Sequence, residues 1–185
     1  RMREYCRILA EHMAMLPAYR DQVDDAYIDA LYKSSPLHDV GKVGIPHSIL
    51  LKPGKLTHEE YEIMKTHTII GGDALKAAES KLPGRSFLTL GKEIAYHHHE
   101  KFDGSGYPFG LSGKDIPLCA RIVAFADAYD ALTSKRVYKD MVGPEETKRR
   151  LLTDRGKHFD PEVVDAFLSC EHDFLKILSE FRTEP

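Results

Sequence analysis

Six residues of this chain have side chains that bind transition metals, and they recur in a suggestive order. They are the adjacent His38 and Asp39, the single His67, the adjacent His98 and His99, and Asp127. Neutral imidazole is the commonest side-chain ligand for such metals, and mixed His/Asp ligation suits Fe, Mn or Zn better than Mg or Ca. Each piece alone has a plainer reading. A His-Asp pair is common, a histidine inside a helix can sit in the core or on the surface, and His97-His98-His99 can be a surface run. Successive helical residues diverge by about 100°, so those three histidines cannot share a face, although two neighbours at a helix end can still reach one cluster. Asp127 lies in the apolar run from Ile122 to Leu132. A carboxylate there is costly unless it pairs with an arginine, caps a neighbouring helix or meets a metal. Asp130 follows one helical turn later, on roughly the same face. Lys42, four residues after His38, can share its face and meet a phosphate oxygen. After the histidines comes Glu100-Lys101-Phe102-Asp103-Gly104-Ser105-Gly106-Tyr107-Pro108, whose glycines and proline set a backbone shape suited to the mouth of a substrate site.

The elements that must position these residues read as helices throughout. Leu9, Met13 and Leu16 follow helical spacing up to Pro17, and Val23, Tyr27, Ala30 and Leu31 mark a second helix. Pro36 starts the short segment that carries His38 and Asp39. Residues 43–57 read as loop, punctuated by Gly44, Pro46, Pro53 and Gly54. Thr57 and Glu60 have the spacing of a capping box, and a helix is expected from there through Met64, His67 and Ile70 to about Ala78. Residues 80–85 form a connector. Phe87 to His99 reads as helix, 101–117 as a Gly/Pro-rich loop, and 118–134 as the most apolar helix. Pro144 and Pro161 each open a further helix, and 171–183 is expected to be a last amphipathic one. No stretch alternates with period two. The expected fold is all-α, a helical bundle with one long functional loop, divided into residues 1–170 and a helical tail, 171–185.

Composition narrows the possibilities. The 185 residues suit one domain, 42% of them are apolar, and the formal net charge is −3, which argues against a nucleic-acid coat. The three cysteines stand far apart with no CxxC pair, as expected of reduced thiols in a cytoplasmic protein. There is no apolar run of about 18 residues and no signal peptide, so no membrane segment is expected. The chain begins at Arg1, already inside an amphipathic pattern, and reads as a piece of something longer.

Taken together, His38-Asp39 with Lys42, His67, His98-His99-Glu100, Asp103 to Pro108 and Asp127 closely resemble the HD-GYP domain, a branch of the HD metal-dependent phosphohydrolases. The resemblance extends to Gly44-Ile45-Pro46, Leu51 to Thr57, Gly110 to Gly113, Ile116-Pro117-Leu118, Asp130 to Thr133 and His158 to Pro161. It implies a bacterial, cytoplasmic enzyme that cleaves cyclic di-GMP to pGpG or GMP. Cyclic GMP-AMP or pGpG are alternative substrates, and a non-catalytic nucleotide- or partner-binding module is the alternative role. By the same resemblance His38, Asp39, His67, His98, His99 and Asp127 hold two divalent metals, with Asp39 bridging. Fe or Mn comes first, and Zn, Ni or Co are alternatives. His97 stays outside the ligand set. A hydroxide activated by the metals attacks phosphorus. Lys42, Asp130, Arg136 and Lys139 contact the substrate, and Gly106, Tyr107 and Pro108 place it or meet a partner such as a diguanylate-cyclase-type protein. Relatives carry two further ligands just upstream of the segment that begins at Arg1, for a third metal in the longer protein. Many also carry an N-terminal regulatory domain, commonly a phospho-receiver. Glu4 and His12 are read as ordinary helix residues.

Overall fold

The computed structural model describes residues 1–82, 86–134 and 142–181. Among these the regular structure is helical: α1 Met2–Met15, α2 Asp25–Ser34, α3 His47–Leu50, α4 His58–Lys65, α5 His67–Glu79, α6 Phe87–His97, α7 Leu118–Thr133, α8 Pro144–Thr153 and α9 Pro161–Glu180. The all-α expectation holds. The local signals act as their chemistry requires: Thr57 and Glu60 close a reciprocal capping box on α4, and Asp24, Ser86 and Asp160 each accept a backbone N–H at the start of their helices.

Helix α7 is the axis of the bundle. Eleven of its residues, from Leu118 to Thr133, are buried, and α1, α6, α8 and α9 pack around it. Helix α1 contributes Tyr5, Cys6, Leu9, Ala10 and Met13, one stripe at helical spacing. An aromatic cluster joins α1, α7 and α9: Tyr5 stacks on Phe174 at 4.5 Å, Tyr129 meets Phe174 edge-on at 4.9 Å, and Phe125 lies 5.0 Å from Phe167. One buried ion pair locks the start of α9. Arg121 reaches Asp160, which also caps that helix, and gives its Nε hydrogen to the Ile116 carbonyl at 2.9 Å. The ion pair and the carbonyl bond together offset the penalty of isolated buried charge.

Several boundaries differ from the sequence reading. The segment 43–57 contains the short helix α3, because Pro46 is a good helix entry. The single helix expected over 58–78 is broken at Thr66 into α4 and α5, where the Thr66 hydroxyl bonds back to the Ile63 carbonyl at 2.7 Å. Helix α6 stops at His97, which puts His98 and His99 beyond its last turn. The two helices expected over 161–183 are the two halves of α9, which meet at non-helical backbone at Cys170, and Phe174, Ile177 and Leu178 beyond that kink are buried in the common core.

The turn Val40–Gly44 lies flat on α5. A Cβ on Gly41 would stand 1.9 Å from the His67 carbonyl oxygen and 2.4 Å from the Gly71 nitrogen. Neither atom can swing aside, so the close approach depends on glycine. This contact fixes the distance between the segment that carries Asp39 and the helix that carries His67. Gly41→Ala should therefore lower stability by about 3 kcal/mol or more. Gly72→Ala should cost less, because the atoms nearest its Cβ would be those of the Tyr96 ring, a side chain that can move. Urea unfolding midpoints of the two variants give the comparison, and equal losses would contradict it.

Candidate metal centre

Four elements converge on Asp39. His38 and Asp39 sit at the junction of two short turns, His67 is the first residue of α5, His98 and His99 follow the end of α6, and Asp127 projects from α7. Single ligand atoms from Asp39, His67, His98 and His99 all lie within 4.8 Å of one another. The Asp39 carboxylate has two distinct sides. Its Oδ1 faces His67 Nε2 at 3.4 Å and His98 Nε2 at 3.8 Å, and its Oδ2 faces His38 Nε2 at 3.3 Å and Lys42 Nζ at 2.5 Å. His38 Nε2 is also 3.8 Å from an Asp127 oxygen.

The backbone determines which nitrogen of each ring is left free. His38 Nδ1 lies 2.9 Å from the Ser35 carbonyl, His67 Nδ1 2.7 Å from that of Met64, and His98 Nδ1 3.0 Å from that of Ile94. A carbonyl oxygen only accepts, so each Nδ1 carries a hydrogen, which turns the Nε2 lone pairs of His67 and His98 to the centre and His38 Nε2 to the Asp39 carboxylate. Two of these lone pairs confront each other, with His67 Nε2 and His98 Nε2 3.4 Å apart. Asp39 Oδ1 is buried and lacks a hydrogen-bond partner.

Electrostatics deepen the arrangement. Burial lowers the pKa of His67, and burial followed by the neighbouring His99 holds His98 well below the ordinary imidazole range. Burial and then His67 bring His99 down to about 3. These three rings are neutral at neutral pH, as ligands must be. At Asp39 burial opposes ionisation, but His38 and then Lys42 outweigh it and hold the carboxyl ionised. His38 is raised, burial being overcome by Asp39 and then Asp127. An ionised carboxylate oxygen facing a set of imidazole lone pairs, with no hydrogen to share, is a site for a cation. A divalent metal ion fits this donor set.

The structure thus brings together His38, Asp39, His67, His98, His99 and Asp127. His97 turns away, with its Nε2 3.5 Å from Glu93 and its ring beside Phe109. Lys42 is on the centre, bonded to Asp39. Asp130 is instead paired with Arg1 at 2.6 Å. Tyr107 lies flat on His99, ring centroids 4.8 Å apart. Glu4 accepts from Tyr32 of α2 at 2.7 Å, and His12 Nδ1 bonds the Ile8 carbonyl of its own helix at 3.0 Å. Arg136 and Lys139 lie outside the described residues.

Sequence reasoning gave Glu100 no role. It is 2% exposed, and its two oxygens accept the backbone N–H groups of Phe109 at 2.7 Å and Leu111 at 3.1 Å. One carboxylate therefore pins the loop that contains Gly106, Tyr107 and Pro108 to the residue after His99. A carboxylate directly after two clustered histidines was the available signal, since a buried charge needs partners.

An all-helical bundle that holds a buried imidazole–carboxylate cluster defines a divalent-metal-binding helical domain. The chain belongs to the HD domain family, which it matches over residues 2–163, and its Gly106-Tyr107-Pro108 signature puts it in the HD-GYP branch. It is 53% identical over 98% of its length to a cyclic di-GMP phosphodiesterase of Vibrio cholerae and 43% identical over 94% to a 3′3′-cGAMP-specific phosphodiesterase of the same organism. It spans 37% of the first protein and 31% of the second. A crystal structure of a cyclic GMP-AMP-specific phosphodiesterase from V. cholerae shares the fold, with a TM-score of 0.62 at 17% identity, covering 100% of this chain and 49% of that one. Among the described residues no helix is long and apolar enough to cross a membrane.

Two outcomes test the centre. A divalent ion such as Mn(II) at a hundredfold excess over its Kd should stabilise the fold by about 2.7 kcal/mol, and Asp39→Asn should abolish the rise in melting temperature. A variant that still showed the full shift would place the ion elsewhere. Glu100→Gln should keep metal binding but let the Phe109 and Leu111 amides exchange hydrogen about tenfold faster, as expected from losing one charge-assisted bond; unchanged exchange would mean that something else pins the loop.

Proposed function

We propose that the chain is the catalytic unit of a metal-dependent phosphodiesterase that hydrolyses cyclic di-GMP to linear pGpG or on to GMP. The observation that carries this reading is the two-sided Asp39 carboxylate, one oxygen turned to His67 and His98 and the other to His38 and Lys42. It occurs in a chain closely similar to a cyclic di-GMP phosphodiesterase. In this reading Asp39, His67, His98 and His99 hold one divalent ion, and His38, Asp39 and Asp127 hold a second. Fe or Mn is preferred to Zn, Ni or Co. Bound there, the ions would supply Lewis acidity toward the phosphodiester and a hydroxide from water at neutral pH.

The remaining work falls to the chain. The Nδ1 bonds to backbone carbonyls hold each imidazole in one tautomer and one orientation, so the site needs little rearrangement. Lys42, half exposed and already at the carboxylate, offers its ammonium to a phosphate oxygen. Asp130, Arg136 and Lys139 are assigned to substrate contact. Gly106 lets the loop backbone pack against Glu100 and Lys101, where a Cβ would fall 2.3 Å from the Lys101 nitrogen, and Tyr107 and Pro108 then line the mouth. Residues 1–170 form the catalytic unit and 171–185 its tail. The buried free thiols of Cys6, Cys119 and Cys170 favour the bacterial cytoplasm. Cyclic GMP-AMP is the second substrate reading, favoured by the similarity to a 3′3′-cGAMP-specific enzyme.

The test is turnover of cyclic di-GMP and 3′3′-cGAMP by the Mn(II)- or Fe(II)-loaded chain, with products resolved by chromatography. Asp39→Ala should lower the rate by about a thousandfold or more, and near-normal hydrolysis would refute the assignment. Arg136→Ala should raise KM or lower kcat with metal content unchanged. If metal were lost instead, that residue would belong to the ion site.

A further inference from the structure

The resemblance that identifies the metal ligands gives no part to α4, yet α4 sends two side chains to the mouth of the centre. Tyr61 stands edge-on to Tyr107, ring centroids 6.4 Å apart, and Tyr107 in turn lies flat on His99. Lys65 Nζ lies 5.7 Å from the centre of the Tyr61 ring and 5.6 Å from that of Tyr107. These distances are those of cation–π contacts with both rings. Tyr61 is 47% exposed, so much of its ring is open to a ligand. The Tyr107 phenol is pushed above its usual range by burial first, then by Tyr61, Asp39 and Asp127, so this ring borders α4 on one side and the site carboxylates on the other.

We propose that Tyr61 and Lys65 form the nucleobase wall of the substrate site and that Lys65 selects guanine over adenine. This rests on the cyclic-dinucleotide reading above. A substrate whose phosphate sits at the imidazole cluster can carry its base outward past Tyr107, where Tyr61 offers an exposed π-face. An exposed aromatic face holds any base by stacking, and so gives affinity without choice. Choice comes from the ammonium. Guanine presents two acceptors, N7 and O6, along one edge, whereas adenine replaces O6 with an amino donor. An ammonium has only donors, so it meets guanine at two points and is opposed by the adenine amino group. Lys65 is fixed by Glu62 at 2.7 Å, which leaves its other hydrogens for a ligand and holds the head group beside the two rings.

The experiment compares the Mn(II)-loaded wild-type chain with Tyr61→Ala, Tyr61→Phe, Lys65→Met and Lys65→Arg. Calorimetry gives Kd for GMP and AMP, and initial rates give KM and kcat for cyclic di-GMP and cyclic di-AMP. Tyr61→Ala should weaken GMP and AMP alike by about tenfold or more, with the loss of turnover falling on KM, metal content unchanged, and recovery in Tyr61→Phe. Lys65→Met should bring the GMP-to-AMP affinity ratio close to one, while Lys65→Arg keeps the preference, since a guanidinium also donates to N7 and O6. GMP affinity unchanged in Tyr61→Ala overturns the stacking role, and an unchanged ratio in Lys65→Met overturns the guanine selection. A metal-loaded wild-type chain that neither binds GMP nor cleaves either dinucleotide overturns the proposed function itself, and the base wall with it.

Discussion

Everything at the functional end of this molecule depends on one half-buried carboxylate. Asp39 is ionised, one oxygen lacks a hydrogen-bond partner, and the groups nearest that oxygen are imidazole nitrogens whose lone pairs point at it. In a medium of low dielectric such an arrangement is costly unless positive charge neutralises it. Lys42 supplies that charge on one side only, at Oδ2. On the Oδ1 side the rings are held neutral by burial, so they cannot provide it. The polarity of the cluster thus defines where a cation belongs.

The surrounding fold maintains this unfavourable grouping. Each of three histidines has one nitrogen committed to a carbonyl at the end or start of a helix, so the rings cannot turn away from one another. The approach of the Asp39 turn to α5 is set by backbone-on-backbone contact at Gly41 and Gly71. Helix α7 supplies Asp127 from the most deeply buried element of the bundle, whose position is fixed by the aromatic cluster and by Arg121 with Asp160. Stability from the core is spent on holding polar groups at a geometry they would not choose, a common feature of functional sites.

Glu100 links the centre to the substrate side. It follows the paired histidines directly and bonds two amides of the long loop, so the clustered histidines and the Gly106-Tyr107-Pro108 segment form one mechanical unit. Tyr107 stacked on His99 closes the same connection from the other end. A loop tied at both places is a wall and not a flap, held in one position beside the cluster.

The sequence by itself determined the helical class, the capping box at Thr57, the proline-led starts of α8 and α9, and which imidazole and carboxylate side chains the fold would gather. These depend on short-range periodicity and on residue chemistry, which spacing displays directly. It misjudged the break at Thr66 and the end of α6, because packing against neighbours, not local propensity, decides where such helices stop. It could not show that Asp39 has two sides, that Asp130 is drawn to Arg1, that Glu100 braces the loop, or that Tyr61 and Lys65 stand beside Tyr107. Those relations join residues from separate helices and turns, and only the packing of α4, α5, α6 and α7 brings them within reach of one another.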